Sequence, residues 1–237
     1  MRIVLDIETV QAPREEWARI AGCLPLVDPD CVEDAEDLYT RQEAEERQKN
    51  QEQLYDKSSF DGTYSRIVCI AVLLFTDAME AQEAVAWYGA NERELLQQFW
   101  ARIATVRPGL FITHNGLGFD LPFIKKRSVI HQIKPSVEIN LAKFRSEPVY
   151  DTMAVWSNWE QRGWVKLDIL ARALNVETKS GSGQQVAEMW MKGQGREIAE
   201  YCLKDTYVTY AVYSKMNFRQ PLASEVVLLN PQLIEVN

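Results

Sequence analysis

Near the start of the chain an apolar run, Ile3-Val4-Leu5-Asp6-Ile7-Glu8-Thr9, is broken twice by acidic residues. Arg2 to Thr9 reads as a β-strand, in which side chains alternate between faces. Asp6 and Glu8 therefore share one face, and Leu5 and Ile7 the other. A strand this apolar belongs in the middle of a sheet, where an ionised carboxylate without a partner costs several kcal/mol. The nearest basic residue in sequence, Arg2, lies on the same alternating face but too far along the strand to serve both acids. A bound cation accounts for the pair better than a structural ion pair does, and the rest of the fold has to supply the other half of such a site.

The remaining pattern is that of an α/β protein. Arg66 to Phe75 is a β-branched, almost wholly apolar run, as expected of a strand buried on both sides, and Ala84 to Tyr88 is a third strand after a turn near Asp77. Asn91 is placed to cap a helix running to about Val106, with Glu94 three residues on as in a capping box, and Pro108 and Gly109 end it. Leu110 to Thr113 is a fourth strand. It is followed by the turn His114-Asn115-Gly116-Leu117-Gly118 and a helix from about Phe119 or Asp120. Further helices are expected at about 151–159, 166–174, 183–192 and 195–217.

Residues 28–57 are polar, acidic and rich in Glu and Gln, with only a thin apolar stripe at Leu38 and Leu54. They read as a helical insertion on the surface of a single domain spanning 1–237. Most simply it is a solvated excursion; an arm for a protein partner or a lid on the site are the other readings.

Composition narrows the function. With 237 residues, 46% hydrophobic and 25% charged, the chain can bury an ordinary core. Its longest apolar run, Ile67 to Phe75, is too short to cross a bilayer, and Asp6 interrupts any signal-peptide core, so neither membrane insertion nor secretion is expected. Cys23, Cys31, Cys69 and Cys202 show no CxxC spacing. With only His114 and His131 beside them, a zinc site is not expected, and the thiols read as reduced and mainly structural, consistent with a cytoplasmic setting. The net charge of −8 argues against a general nucleic-acid coat. It is unevenly spread: residues 1–120 carry 11 basic and 22 acidic side chains, residues 121–220 carry 15 and 10. A local anion-binding face on the second half is thus compatible with the total.

Two further segments join the first strand. Asn115-Gly116-Leu117-Gly118-Phe119-Asp120 brings an acid to the start of a helix. In Tyr201-Cys202-Leu203-Lys204-Asp205, the phenol and the carboxylate lie one turn apart on a single helical face. Each alone is a weak signal. Together, in this order and at this spacing, the three segments resemble the DEDD superfamily of 3′ to 5′ exonucleases, in the subclass whose third motif is Tyr-x-x-x-Asp. The resemblance is closest to the stand-alone predicted exonucleases related to the exonuclease domain of B-family DNA polymerases. It covers nearly the whole chain apart from 28–57 and the C-terminal tail.

The resemblance implies a ribonuclease H-like fold, a central mixed five-stranded sheet flanked by helices. It implies Asp6, Glu8, Asp120, Tyr201 and Asp205 as catalytic residues, the four acids holding two divalent cations, Mg²⁺ or Mn²⁺. Two such ions are the usual means of activating water and neutralising the leaving oxygen in phosphodiester hydrolysis. Tyr201, with an ordinary pKa near 10, would orient the attacking water rather than deprotonate it. Expected substrate contacts are Thr9, His114, Asn115, Phe119 and Lys179, with core packing as the competing role for Phe119 and turn stabilisation for His114. Asp151 and Asp168 are expected as helix caps or structural hydrogen-bonders, and Lys125, Lys126 and Arg127 as a solvated basic run. The implied reaction shortens single-stranded DNA or frayed duplex ends from the 3′ end. Two alternatives stay open: an exoribonuclease or oligoribonuclease, and a non-catalytic nucleic-acid-binding scaffold. A replication or repair protein is the partner expected if the acidic insertion is a docking arm.

Overall fold

The computed structural model describes residues 1–22, 38–177 and 186–237. Six strands form one mixed sheet: β1 (Arg2–Gln11), β2 (Ser65–Phe75), β3 (Ala81–Gly89), β4 (Leu110–Thr113), β5 (Val149–Asp151) and β6 (Gln232–Val236), in the spatial order β5-β4-β1-β2-β3-β6. β1, β2 and β3 pair antiparallel, whereas β4 beside β1, β5 beside β4 and β6 beside β3 are parallel. The sheet thus has six strands where five are expected from sequence. β5 is only three residues long. β6 lies in the C-terminal tail, with Gln232 and Glu235 exposed and Leu233 and Ile234 only partly covered. Neither offers the sustained alternation by which a strand is read from sequence. The close fit of β6 is visible at Gly89, where a side chain would run into the Val236 carbonyl.

Nine helices surround the sheet among the described residues: α1 (Arg14–Ala21), α2 (Leu38–Lys57), α3 (Glu92–Val106), α4 (Asp120–Ile130), α5 (Thr152–Trp156), α6 (Leu167–Ala173), α7 (Val186–Met191), α8 (Gly195–Met216) and α9 (Ser224–Val227). The insertion is helical over Leu38–Lys57, and Leu54 in its apolar stripe is exposed; residues 28–37 of the expected insertion lie outside the described residues. α3 starts as expected, the Asn91 Oδ1 accepting from the Glu94 amide at 3.1 Å. Its C-cap, Arg107, takes the left-handed conformation, and Pro108 follows.

The alternation of β1 sorts the core into two layers. Ile3, Leu5 and Ile7 pack with Leu95, Phe99 and Ile124 from α3 and α4. Val4 and Val10 point the other way, into a layer shared with Ile198, Cys202, Tyr210 and other residues of α8. β2, at the centre of the sheet, is buried on both faces from Ile67 to Phe75. Burying a large apolar side chain of this kind contributes about 1.5–3 kcal/mol. This makes β2 the rigid wall against which β1 and α8 are held. Among the described residues no helix is long and apolar enough to cross a membrane.

Candidate active site

On the α8 side of β1, the face that carries Val4 and Val10 also carries Asp6 and Glu8. Their cross-strand neighbours on β2 are small, Ala71 opposite Asp6 and Cys69 opposite Glu8. This leaves room above the sheet. A bulge interrupts the β1–β2 register between Glu8 and Thr9, where the partner steps from Cys69 to Ile67. Such bulges bend a strand and re-aim the side chains beside it.

The other edge of β1 is equally specific. β4 pairs with β1 only from Arg2 to Val4 and stops at Thr113, so the edge of β1 beyond Val4 has no strand beside it. The chain turns there through Asn115, which has a left-handed φ of 65°, and Gly116, whose missing side chain would overlap Thr113 at 2.4 Å. The turn delivers Asp120 to the first position of α4. Its Oδ1 accepts the uncovered Ile7 amide at 3.1 Å, which locks the second acidic segment onto the first. From above, α8 lays Tyr201, Cys202 and Asp205 over the same spot. The helix buries Ile198, Ala199, Cys202, Leu203 and Thr206 against the sheet, which sets the rotation at which Tyr201 and Asp205 face the acids.

The carboxylates act on one another. Burial raises Asp6 well above the usual carboxylate range, and the negative charges of Asp120, Glu8 and Asp205 raise it further. Glu8 is raised by burial, then by Asp205 and Asp120. Asp120, only 4% exposed, is pushed up to about 7 by burial, partly offset by its own amide and that of Ile7. Asp205 is raised by burial too, and the Tyr201 hydroxyl, which reaches it across one helical turn, pulls it back. The same burial and the facing carboxylates push Tyr201 up. No lysine or arginine among the described residues stands among these interactions; Arg2 is at the other end of the strand, 3.0 Å from the Tyr213 hydroxyl. Four acids held together without a basic partner among the described residues, three of them partly exposed, offer the hard oxygen donors that a divalent cation takes.

Cys202 was not legible as part of this site. It donates to Asp6 Oδ2 at 3.3 Å, and its sulfur lies with oxygens of Asp6 and Glu8 inside 4.8 Å of one another. Burial, then Cys69, Asp6 and Glu8 hold the thiol protonated. Its one sequence signal is its place next to Tyr201 in the third motif. Asp120 and Asp205 flank this tightest grouping at electrostatic range.

Residues 59–225 match the family described as predicted 3′-5′ exonucleases related to the exonuclease domain of PolB. The chain belongs to that family. The matched span includes Asp120, Tyr201 and Asp205 and starts after Asp6 and Glu8, which the fold carries into the same cluster. A DNA polymerase of Pyrococcus glycovorans is 28% identical over 140 residues, covering 51% of this chain and 18% of the polymerase. A DNA polymerase epsilon catalytic subunit of Saccharomyces cerevisiae is 32% identical over 136 residues, 53% of this chain and 6% of the yeast protein. The chain thus corresponds to a minor part of these relatives.

Within this PolB-exonuclease-related chain, the other expected site residues take varied positions. Asn115 and Phe119 flank the turn that positions Asp120. The Phe119 ring lies 5.4 Å from Phe123 in the core and 6.5 Å from Phe60, which is 73% exposed, so it packs on the core at one side and on an exposed ring at the other. The Thr9 hydroxyl donates to the Ser59 carbonyl at 3.0 Å. Of the two roles expected of His114, the structure shows the stabilising one: its Nδ1 is 2.9 Å from Thr152 Oγ1 and its Nε2 3.1 Å from the Val165 carbonyl, so both ring nitrogens have protein partners and tie the end of β4 to the approach to α6. Burial depresses its pKa, as suits a neutral strap. Lys179 lies outside the described residues.

Asp151 is a structural hydrogen-bonder, as expected, and a strong one: it caps α5 through the Met153 and Ala154 amides and holds the Asn115 and Leu117 amides of the turn at 2.9 and 3.0 Å. Asp168 does not cap α6, which begins after Lys166, but pairs with Arg172 at 2.8 Å. The basic run is not wholly solvated. Arg127 is buried in a bidentate pair with Glu92 at 2.8 and 2.6 Å, and Lys126 pairs with Asp61 at 2.6 Å.

Proposed function

We propose that the chain is a divalent-metal-dependent 3′ to 5′ exonuclease that shortens single-stranded DNA, or frayed duplex ends, to nucleoside monophosphates. The observation that carries this reading is the convergence of Asp6, Glu8, Asp120 and Asp205, from two strand positions and two helices, into one cluster whose charges oppose each other without a basic partner. Family membership supports the reaction class.

Asp6, Glu8, Asp120 and Asp205 would hold two divalent cations, Mg²⁺ or Mn²⁺, in keeping with their hard oxygen donors. When bound, the cations supply water activation and neutralise charge at the leaving oxygen. The chain's own contributions are positional. Asp6 lies centrally, facing the other three acids, and so is the ligand whose loss is felt most widely. Asp120 fixes the second segment to the first through the Ile7 amide. Tyr201, held protonated, is a hydrogen-bond donor throughout the pH range of the reaction and orients the attacking water rather than removing its proton. Asn115 and Phe119, on the turn that carries Asp120, would contact the terminal nucleotide. The chain acts as a single exonuclease domain, with the acidic insertion a surface element open to a replication or repair partner.

The test is to incubate 5′-labelled single-stranded DNA and RNA with the protein and Mg²⁺ or Mn²⁺. A ladder shortening from the 3′ end of DNA, abolished by chelator and by Asp6→Ala, is the expected result. Shortening of RNA alone assigns the site to an exoribonuclease, and binding without shortening of either polymer overturns the nuclease reading.

A further inference from the structure

Beside the carboxylate cluster, and separate from its four acids, the surface opens into a cleft of about 260 Å³ walled by Phe144, Trp159 and Trp164, with Lys143 on its rim and Asn115 and Gly118 among its lining residues. Two features distinguish it from incidental surface. The first is that large aromatic area is left facing solvent in one concavity: Phe144 is 77% and Trp164 43% exposed, and the Phe144 and Trp159 ring centroids lie 5.6 Å apart with the planes tilted by 44°. Exposed aromatic groups gathered in a cleft mark a binding site more often than scattered ones do. The second is the backbone. Phe144, Asn158 and Trp159 all hold left-handed φ angles, 63°, 51° and 66°, which are unusual for bulky side chains, and the Phe144 and Trp159 side chains line the cleft, Trp159 also resting on the core.

The cleft is joined to the proposed reaction centre through shared parts. Asn115 and Gly118 belong to the turn that delivers Asp120. Asp151 lines the cleft, holds that turn and contributes to the raised pKa of Asp120. The oxygens of this acid accept four backbone amides, which offset part of its charge and hold it in the wall of the cleft. The charged group left at the rim is a lysine.

From this we infer that the cleft is a stacking subsite for an unpaired base of single-stranded DNA, with Lys143 meeting an adjoining phosphate. An apolar peptide would also fit aromatic walls, but it would gain nothing from the lysine or from continuity with the Asn115–Asp120 turn. A base on a strand whose 3′ end lies at the acids gains from both. Stacking on aromatic side chains tolerates any base, so the subsite secures the strand without reading its sequence. This inference deepens the nuclease reading and rests on it.

The experiment separates the two. Equilibrium binding of 5′-labelled oligodeoxythymidylate is measured by fluorescence anisotropy with the full-length Asp6→Ala chain, in which cleavage is blocked, using a set of oligonucleotides that each carry one abasic position counted from the 3′ end. One internal position is expected to lose roughly 5- to 150-fold in affinity when its base is missing, the range of one stacked base. That penalty is expected to vanish when Phe144→Ala or Trp164→Ala is added, both being exposed positions whose folding is checked by thermal melting. Lys143→Ala is expected to weaken every oligonucleotide alike. Equal abasic penalties with and without the aromatic substitutions, no position-dependent penalty, or no binding at all overturns the subsite. The nuclease reading stands or falls separately, on 3′ shortening by the unsubstituted chain.

Discussion

Asp120 is pushed up to about 7, and this has a consequence for stability that runs opposite to the usual carboxylate. Below its ordinary pKa near 3.8 the group is neutral in the folded and unfolded chain alike and costs nothing. Between there and about 7 the folded state keeps the proton that the unfolded state releases, so metal-free stability falls as pH rises across that window. Thermal melting in chelator should show a higher Tm near pH 5 than near pH 8, and added Mn²⁺ should recover more stability at pH 8. Asp120→Asn removes the charge and keeps an acceptor for the Ile7 amide. It should stabilise the metal-free protein at pH 8, by on the order of 2–4 kcal/mol in urea unfolding, while lowering nuclease activity by more than the ~10–100-fold typical of an outer-shell partner. Tyr201→Phe tests a finer point. If the phenol orients water, kcat should drop by roughly 10- to 100-fold with Mn²⁺ affinity unchanged; parallel losses in metal affinity would make Tyr201 a support for Asp205 instead.

At the scale of elements, the turn between β4 and α4 depends on a carboxylate from β5. Asp151→Ala strands four amides at once, and a buried donor left unsatisfied costs about 1–3 kcal/mol. Urea unfolding should show a loss of about 3 kcal/mol or more, with Asp151→Asn recovering part of it. Stability unchanged by Asp151→Ala would show that the turn is held by other means. The same elements show what a sequence can and cannot reveal. The acids were legible because they break strong local patterns: Asp6 and Glu8 interrupt an apolar strand, and Tyr201 and Asp205 share a helical face. The alternation of β1 also put both acids on one face of the strand. What escaped depended on tertiary neighbours. Cys202 reads as one more buried residue of α8 until its sulfur is placed beside Asp6. Arg127 reads as part of a solvated run until Glu92 is placed beside it. β5 and β6 exist because a longer strand lies beside them, which no local pattern announces.

For the whole molecule, the balance of charge governs how an anionic strand approaches. The total of −8 and the uncompensated acids oppose a phosphate backbone, while residues 121–220, which include Lys143, carry a surplus of basic groups. Single-stranded DNA should therefore bind more weakly as salt rises, with a logarithmic slope of about −0.7 for each phosphate neutralised. Removal of divalent cations at constant ionic strength should weaken binding further, by roughly tenfold, or about 1.4 kcal/mol. Binding indifferent to divalent cations would mean that the strand does not pass over the acidic cluster.

In the proposed reaction Asp6, Glu8, Asp120 and Asp205 act as one cage for paired cations, and electron paramagnetic resonance of Mn²⁺ tests this without reference to activity. Titration of the protein in the presence of a nucleoside monophosphate should show two bound, magnetically coupled ions per chain, with the coupling lost in Asp6→Ala and in Asp205→Ala. Binding of no ion, or binding that both substitutions leave intact, would contradict it.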